Sequence, residues 1–396
     1  MKKKKVFINS NGCIPNQLEG KKIFKLVKSL GFQITNSYEK ADLIIFNSCG
    51  FSVDKMEESC RTLETYAQEK NASAQLILTG CLDNICHDML EKLKNTVIYK
   101  SIFELNEFFG SEIILDNLDV SGCVENNRLQ TGRPDIFHVI TSTGCLGSCS
   151  YCVIKRARGQ IRSKSEEEIL KEMKNGIKKK FNKFILWGDD IGAYGDDIST
   201  NIVSLLQKIC KEFRDNNVRI YIHRINPQWL IKYKAGLFKV LASGLIKLFY
   251  SPIQSGSNKI LELMNRNYSK EDIISIFSSI KKEYPEICLK TDMMIGFPSE
   301  QNEDFHDSLD LLRMNIFDDL EVFKFRAFKN TPAYRLKEKI DDGTINNRID
   351  QIWKYFPSLR FSLQLENGKY SLIDKGNVNS EGLCWTLKNI NPDYYD

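Results

Sequence analysis

Hydrophobic positions in this chain fall into short continuous runs, separated by stretches with helical spacing. Val6–Asn9 is the first run, followed by a loop at Gly12-Cys13 and a helical pattern over Leu18–Leu30. Leu43–Asn47 is the second, with a helical pattern over Val53–Gln68, and Gln75–Thr79 the third, with a helical pattern over Asp83–Leu93. Apolar runs bounded by helices predict parallel strands covered on both faces. Ser111–Pro134 lacks periodicity and reads as a linker or surface excursion. A second alternating series starts at Phe137. Its strands are expected at Phe137–Thr141, Lys183–Trp187, Arg219–His223, Lys247–Ser251, Leu289–Ile295 and Glu321–Phe325, with helices between them that include Ser165–Lys178 and Lys270–Lys282. Six strand–helix units in ~200 residues predict an open parallel barrel, not a closed eight-unit one. After Tyr334 the pattern weakens. A helix is expected over Arg348–Leu365 and a small β-element in the tail Tyr370–Asp396.

The expected fold class is therefore α/β. A parallel-sheet domain occupies residues 1–112, a linker 113–134, a partial (β/α)6 barrel 135–335 and a short extension 336–396. A length of 396 residues suits two or three domains, and 42% hydrophobic with 27% charged residues suits a soluble globular protein. The longest apolar segment, Leu241–Ile253, is interrupted and too short to span a bilayer. The lysines at Lys2–Lys5 lead straight into a strand without an apolar signal region, so a cytoplasmic location is expected. A net charge of +5 permits a nucleic-acid partner without arguing for one. Twelve cysteines in such a chain point to metal or cluster sites in a reducing compartment, not to disulfides.

Two sets of cysteines stand out. Cys13, Cys49 and Cys81 each follow a predicted strand within a few residues. Ligand sites in parallel sheets lie at the carboxyl ends of the strands. A single strand-end cysteine is commonly a small apolar residue, whereas three at equivalent positions are hard to attribute to packing. The second set is the run Cys145-Leu-Gly-Ser-Cys149-Ser-Tyr-Cys152. Three thiolates in one loop can hold three irons of a [4Fe–4S] cube and leave the fourth iron open, whereas an electron carrier closes its cluster with a fourth cysteine. A zinc site or three structural cysteines is the bland alternative. The histidines His87, His138, His223 and His306 show no metal-ligand spacing, and Cys60, Cys86, Cys123, Cys210, Cys288 and Cys384 fall outside both sets.

The C-x-x-x-C-x-x-C spacing resembles that of radical S-adenosylmethionine (SAM) enzymes. Further motifs narrow the resemblance. They are Ala41–Phe51 around Cys49, Thr79-Gly80-Cys81-Leu82, the loop Gly188–Gly195, Pro252-Ile253-Gln254-Ser255-Gly256-Ser257, Met264-Asn265-Arg266-Asn267-Tyr268, and Thr291–Pro298. With both cysteine sets in order, residues ~5 to ~335 are similar to the methylthiotransferase family of the MiaB and RimO type. The resemblance implies replacement of an unactivated C–H by S–CH3, using two [4Fe–4S] clusters and two SAM molecules. It implies that Cys145, Cys149 and Cys152 hold the cluster that cleaves SAM, and that Cys13, Cys49 and Cys81 hold one that carries sulfur. Tyr151 is then expected near the adenine of SAM, and the Gly188 loop near its amino group. Gln254 and Ser257 are candidate contacts to SAM or substrate. Arg158 is a candidate partner for a carboxylate or phosphate, with a solvated basic face as the alternative. Asp189 or Asp190 is a candidate substrate contact, with helix capping as the alternative.

Family members usually end in a TRAM domain, a small β-barrel that contacts the substrate. The segment from about Phe361 does not resemble one, and it carries Asp374, Glu381, Asp393 and Asp396. Asp189 also stands where the family usually has glutamine. These departures favour a peptide or protein acceptor, including a ribosomally made natural-product precursor. A tRNA adenosine is the alternative, and a non-enzymatic iron–sulfur carrier a more distant one. The reaction implied needs a flavodoxin- or ferredoxin-type reductant and a sulfur donor, with no membrane, and the chain is expected to act as a monomer.

Overall fold

The computed structural model describes residues 3–102, 104–110, 136–355, 360–364 and 370–373. The expected linker at Ser111–Pro134 with Cys123, and the tail beyond residue 373 with Cys384, lie outside the described residues. The chain divides into two compact units, Met1–Pro134 with Arg156–Gly159, and Asp135–Lys155 with Gln160–Asp396.

The first unit holds strands β1 (Lys5–Ser10), β2 (Gln33–Ile34), β3 (Leu43–Ser48), β4 (Gln75–Gly80) and β5 (Val97–Tyr99). They form one parallel sheet in the order β2-β1-β3-β4-β5. Its helices are α1 (Ile14–Ser29), α2 (Val53–Glu69), α3 (His87–Leu93) and α4 (Glu104–Phe108). Every residue of β3 is buried. Leu43 and Ile45 pack with Val6, Ile8 and Ile77 on one side, while Ile44 and Phe46 pack with Phe7, Leu76 and Leu78 on the other. This period of two places alternate side chains on opposite faces, so a continuous apolar run is what a doubly covered strand requires.

Two expectations are corrected here. The first helix begins at Ile14, one turn before Leu18, with Cys13 as its N-cap and a proline in its first turn. Proline is tolerated there because the first helical N–H groups have no intrahelical partner. The helix expected over Asp83–Leu93 is broken into a tight turn at Leu82–Asn84 and α3. The backbone N–H of Cys81 donates to the Ser48 carbonyl at 2.9 Å, and that of Leu82 to Ser48 Oγ at 3.2 Å. These bonds tie the start of the segment to the sheet instead of to a helix.

The second unit contains β6 (Phe137–Ile140), β7 (Ser142–Thr143), β8 (Arg162–Ser163), β9 (Lys183–Trp187), β10 (Arg219–Ile222), β11 (Ile246–Tyr250), β12 (Cys288–Ile295), β13 (Asp319–Lys324), β14 (Arg360–Gln364) and β15 (Tyr370–Ile373). The helices of the rest of the chain are α5 (Ile154–Arg158), α6 (Glu166–Lys178), α7 (Ile202–Glu212), α8 (Pro227–Lys232), α9 (Lys234–Leu241), α10 (Asn258–Leu263), α11 (Lys270–Glu283), α12 (Asn302–Arg313) and α13 (Asp342–Tyr355). Strands β6, β9, β10, β11, β12 and β13 lie side by side in chain order and parallel, as the alternating pattern predicts. The helix expected over Arg348–Leu365 is a correction: α13 ends at Tyr355, and Arg360–Gln364 is a strand parallel to β13. Pro357 disfavours helical continuation through the residue before it. Strand β15 then pairs antiparallel with β14, so residues of the expected extension continue the sheet.

One face of the central strands is polar. Lys290 pairs in register with Asp319, and Asp292 with Glu321. All four are buried.

Candidate functional site

In the first unit the three strand-end cysteines are brought together by register. Ser10 lies opposite Asn47, and Ser48 opposite Gly80, so β1, β3 and β4 end side by side. Gly12 has φ of 89°, and a Cβ there would lie 2.2 Å from Cys49 Sγ. Only glycine suits both the left-handed backbone and this approach. A polar layer supports the loops. Cys49 N donates to Asn11 Oδ1 at 2.8 Å, Ser59 Oγ to the Cys49 carbonyl at 2.7 Å, and Gln17 Nε2 to the Gly12 carbonyl at 2.8 Å. Cys49 and Cys81 are buried and Cys13 is exposed. The Cys49 sulfur beside it holds the Cys13 thiol well above its ordinary value, while the Cys13 contact lowers Cys49. A metal that binds both sulfurs as thiolates would displace the protons they carry.

In the second unit the loop after β7 carries Cys145, Cys149 and Cys152. N–H groups point at all three sulfurs or flank them. Gly147 N lies 3.2 Å from Cys145 Sγ, Ile154 N 3.4 Å from Cys152 Sγ, and Arg266 Nη1 3.3 Å from Cys149 Sγ. A Cβ on Gly147 would come within 3.2 Å of Cys145 Sγ. Burial pushes the Cys145 thiol up, and it pushes Cys152 up to about 12. Such sulfurs become thiolates only when a cation offsets the charge, which is the role of iron in a cluster. Among the described residues, no three His, Cys, Asp or Glu side chains are drawn tightly enough for a single metal ion. The donor chemistry of both triads, three sulfurs on glycine-bearing loops with supporting N–H groups, fits iron–sulfur ligation.

Arg266 is a site residue to which the sequence reading assigned no role. Besides Cys149 it donates to the Pro252 carbonyl at 2.7 Å and to the Tyr268 hydroxyl at 2.7 Å. The same segment carries the cysteine loop, since Ser150 N donates to the Met264 carbonyl at 3.0 Å and Asn265 Nδ2 to the Ser148 carbonyl at 2.9 Å. The signal was present as Met264–Tyr268, a motif without an assigned function.

The other expected residues divide. Tyr151 packs its ring against Ile260, Met264, Phe297 and Ala333, next to the cysteines. A Cβ on Gly188 would lie 2.9 Å from Ser142 Oγ and from Ile191 Cα, so the turn is closed against the start of the cysteine loop. Asp189 braces that loop by accepting Gly144 N at 2.8 Å. Asp190 is buried, accepts Trp229 Nε1 at 2.9 Å and lies 3.9 Å from Cys145 Sγ; burial pushes its carboxyl up to about 6. Gln254 adopts φ of 70°, and its Oε1 is buried without a hydrogen-bond partner among the described residues, as is Ser142 Oγ. Orphaned buried acceptors are rare, and a ligand or an ordered water completes them. Ser257 is a helix cap whose hydroxyl donates to Asp304 at 2.7 Å. Arg158 groups with the first unit and grips both carboxylate oxygens of Glu19.

The polar face of the barrel strands was not read from the sequence. Tyr250 OH contacts Asp292 and lies 2.6 Å from Glu321 Oε2. Lys290 Nζ sits 3.5 Å from both Asp319 and Glu321, and the Arg224 guanidinium 3.9 Å from Asp292. Burial pushes Asp292 up to about 7. A phenol donates one proton, so a protonated Asp292 can donate to Tyr250 while Tyr250 donates to Glu321. His223, whose ring is tilted against that of Trp187 with centroids 3.7 Å apart, is held neutral by burial.

Comparison with known proteins agrees with this geometry. The radical SAM superfamily matches residues 139–312, and the family described as uncharacterized protein family UPF0004 matches residues 5–100. A ribosomal protein uS12 methylthiotransferase RimO of Acetivibrio thermocellus is 31% identical, over 97% of this chain and 88% of its own. A probable threonylcarbamoyladenosine tRNA methylthiotransferase of Pyrococcus abyssi is 29% identical, over 84% of this chain and 80% of its own. Among solved structures, the radical SAM methyltransferase TsrM of Kitasatospora setae has a TM-score of 0.55 at 13% identity, covering 84% of this chain and 77% of that one, a likeness of fold alone. A radical SAM domain of this kind implies a [4Fe–4S] cluster and SAM. Matched family domains in both units, and relatives that span nearly the whole chain, identify it as a member of the radical SAM methylthiotransferase family.

Proposed function

We propose that this enzyme replaces a C–H hydrogen by S–CH3 on a polypeptide, with two [4Fe–4S] clusters as its resident cofactors. The observation that carries the reading is the pair of cysteine triads, each built on its own unit, in a chain similar over 97% of its length to a ribosomal-protein methylthiotransferase. Cys145, Cys149 and Cys152 would hold one cluster, and Cys13, Cys49 and Cys81 the other. When bound, the first supplies the electron that cleaves SAM and the second the sulfur that becomes S–CH3.

The chain's own contribution is positional and electrostatic. Arg266 places a fixed positive charge on Cys149 Sγ. Asp189 fixes the entry to the loop through Gly144 N. Gln254 Oε1 and Ser142 Oγ, buried and unsatisfied, offer acceptors to SAM. A flavodoxin- or ferredoxin-type protein supplies electrons.

The second reading is a tRNA adenosine acceptor, which the likeness to the Pyrococcus abyssi relative favours. The test is anaerobic reconstitution with SAM, sulfide and dithionite, offering uS12 or unfractionated tRNA. A mass gain on the polypeptide equal to a methylthio group in place of one hydrogen supports the proposal. The same gain on tRNA alone moves the function to the second reading. Loss of affinity for tRNA with rising salt would accompany that outcome.

A further inference from the structure

The first unit contains two more thiols that belong to neither triad. Cys60 lies on α2, and Cys86 is the N-cap of α3. Their Sγ atoms are 3.2 Å apart. Both are half-buried and pack against the apolar cluster that includes Phe46, Leu78 and Leu82. They are therefore sheltered from bulk water without being sealed. Bonding the two sulfurs requires them to close by about 1 Å, within the range of side-chain rotation.

The pair adjoins the strand-end site through both of its members. Ser59, next to Cys60, donates to the Cys49 carbonyl at 2.7 Å. Ile85, next to Cys86, fills the space over Gly50, where a Cβ would meet its Cδ1 at 2.1 Å. Each thiol is thus one residue from a contact with Cys49-Gly50. Methylthio transfer consumes one sulfur atom per product, so this unit must be resupplied with sulfur at Cys13, Cys49 and Cys81.

We propose that Cys60 and Cys86 form a relay dithiol, which takes sulfane sulfur from a persulfide donor and releases it as hydrogen sulfide beside that triad. This rests on the triad being the sulfur-carrying site. In the first step the Cys86 thiolate attacks the terminal sulfur of R–S–SH. A Cys86–S–SH persulfide forms and RS⁻ leaves. In the second step Cys60 attacks Cys86 Sγ. The Cys60–Cys86 bond forms, the S–SH bond breaks, and the Cys60 proton leaves with the sulfur as hydrogen sulfide. An external dithiol then reduces the disulfide, giving two electrons and two protons and becoming a disulfide itself. The Cys86 sulfur and burial hold the Cys60 thiol well above its ordinary value, which leaves the first, thiolate attack to its partner; Cys60 attacks in the second step as its proton passes to the leaving sulfur.

The test uses the anaerobically reconstituted full chain, glutathione persulfide as probe, and no added reductant. Hydrogen sulfide release and peptide mass spectrometry are the readouts. The wild type should give a burst of probe-derived sulfide stoichiometric with the chain, counted as free hydrogen sulfide plus sulfide held on the chain, together with a Cys60–Cys86 disulfide. Cys60→Ser should keep the persulfide on Cys86 and lose the burst by about tenfold or more. Both Cys60→Ser and Cys86→Ser should keep wild-type iron content. A burst that survives in the double Cys60→Ser/Cys86→Ser variant overturns the relay, as does loss of iron in Cys86→Ser, which would make it a cluster ligand. The triad reading is tested separately by Cys13/Cys49/Cys81→Ala. That variant should still form the disulfide and the burst, because the chemistry belongs to the pair, but should not retain the released sulfide. If it retains sulfide as the wild type does, the triad reading fails and the relay stands.

Discussion

Arg266 offers the sharpest test of how the second unit holds its cysteine loop. Its guanidinium reaches Cys149 Sγ at 3.3 Å, the Pro252 carbonyl at 2.7 Å and the Tyr268 hydroxyl at 2.7 Å. Replacing it by methionine keeps much of the packing volume and removes the charge. The Pro252 carbonyl loses its donor as well, because the single Tyr268 hydroxyl proton lies closer to the Ile253 carbonyl, at 3.0 Å, than to Pro252, at 3.3 Å. The part of the loss that bears on the cluster falls on Cys149, whose thiolate loses a charge-assisted hydrogen bond. Such bonds are worth about 1.5–3 kcal/mol, or roughly a 10- to 150-fold change in an equilibrium constant. Partners outside the ligand shell typically change metal affinity by about 10–100-fold, which agrees. The assay is iron retention of the anaerobic holoenzyme under a chelator, run beside 5′-deoxyadenosine formation from SAM. Arg266→Met should lose iron from one cluster at low chelator and lose SAM cleavage in parallel. Arg266→Lys should fall between, because lysine keeps the charge but not the planar fork. A methionine variant that holds its iron and cleaves SAM like the wild type would refute the reasoning, and Arg266 would be a packing residue.

Other outcomes follow from the same geometry. Gly12→Ala meets both a left-handed backbone and a Cβ position 2.2 Å from Cys49 Sγ; iron content should fall from about eight to about four per chain, while 5′-deoxyadenosine formation persists. Cys145/Cys149/Cys152→Ala should retain about four irons and form no 5′-deoxyadenosine, and retained SAM cleavage in that variant would reassign the radical site. Burial pushes Asp292 and Glu300 each up to about 7. The native state therefore binds protons that an unfolded carboxyl releases near its ordinary value, and this stabilising contribution is present at low pH and lost as pH rises through about 7. Thermal melts of the holoenzyme across that window should show stability falling with pH from this source. Asp292→Asn should flatten the slope, and an unchanged slope would assign the effect to other groups.

The central strands β1, β3, β4, β6 and β9–β13 could be read directly from the sequence because each is a short apolar run between helical patterns, whereas β2, β5, β7, β8 and β14 lie outside the expected strands. A doubly covered strand must be apolar at every position, as β3 is over most of its length. The cysteine positions were equally legible. Cys13, Cys49 and Cys81 follow strands, and the carboxyl ends of parallel strands come together in any such sheet. The segment at Asp83–Leu93 was misread because helical spacing does not reveal that Ser48 captures the N–H groups of Cys81 and Leu82. The helix over Arg348–Leu365 was overextended because its spacing outweighed Pro357.

What the sequence determined by itself is the order of the central strands, the parallel sheets they form and the two cysteine sets, since these depend on local periodicity and on spacing along the chain. What only the tertiary structure decided is which distant side chains meet. Arg266 reaches Cys149 across more than a hundred positions. Tyr250, Lys290, Asp292 and Glu321 converge only through strand register. Cys60 and Cys86 become a pair only when α2 and the start of α3 pack together. Such contacts are stabilised by burial and pairing over long loops, and one-dimensional spacing carries no record of them.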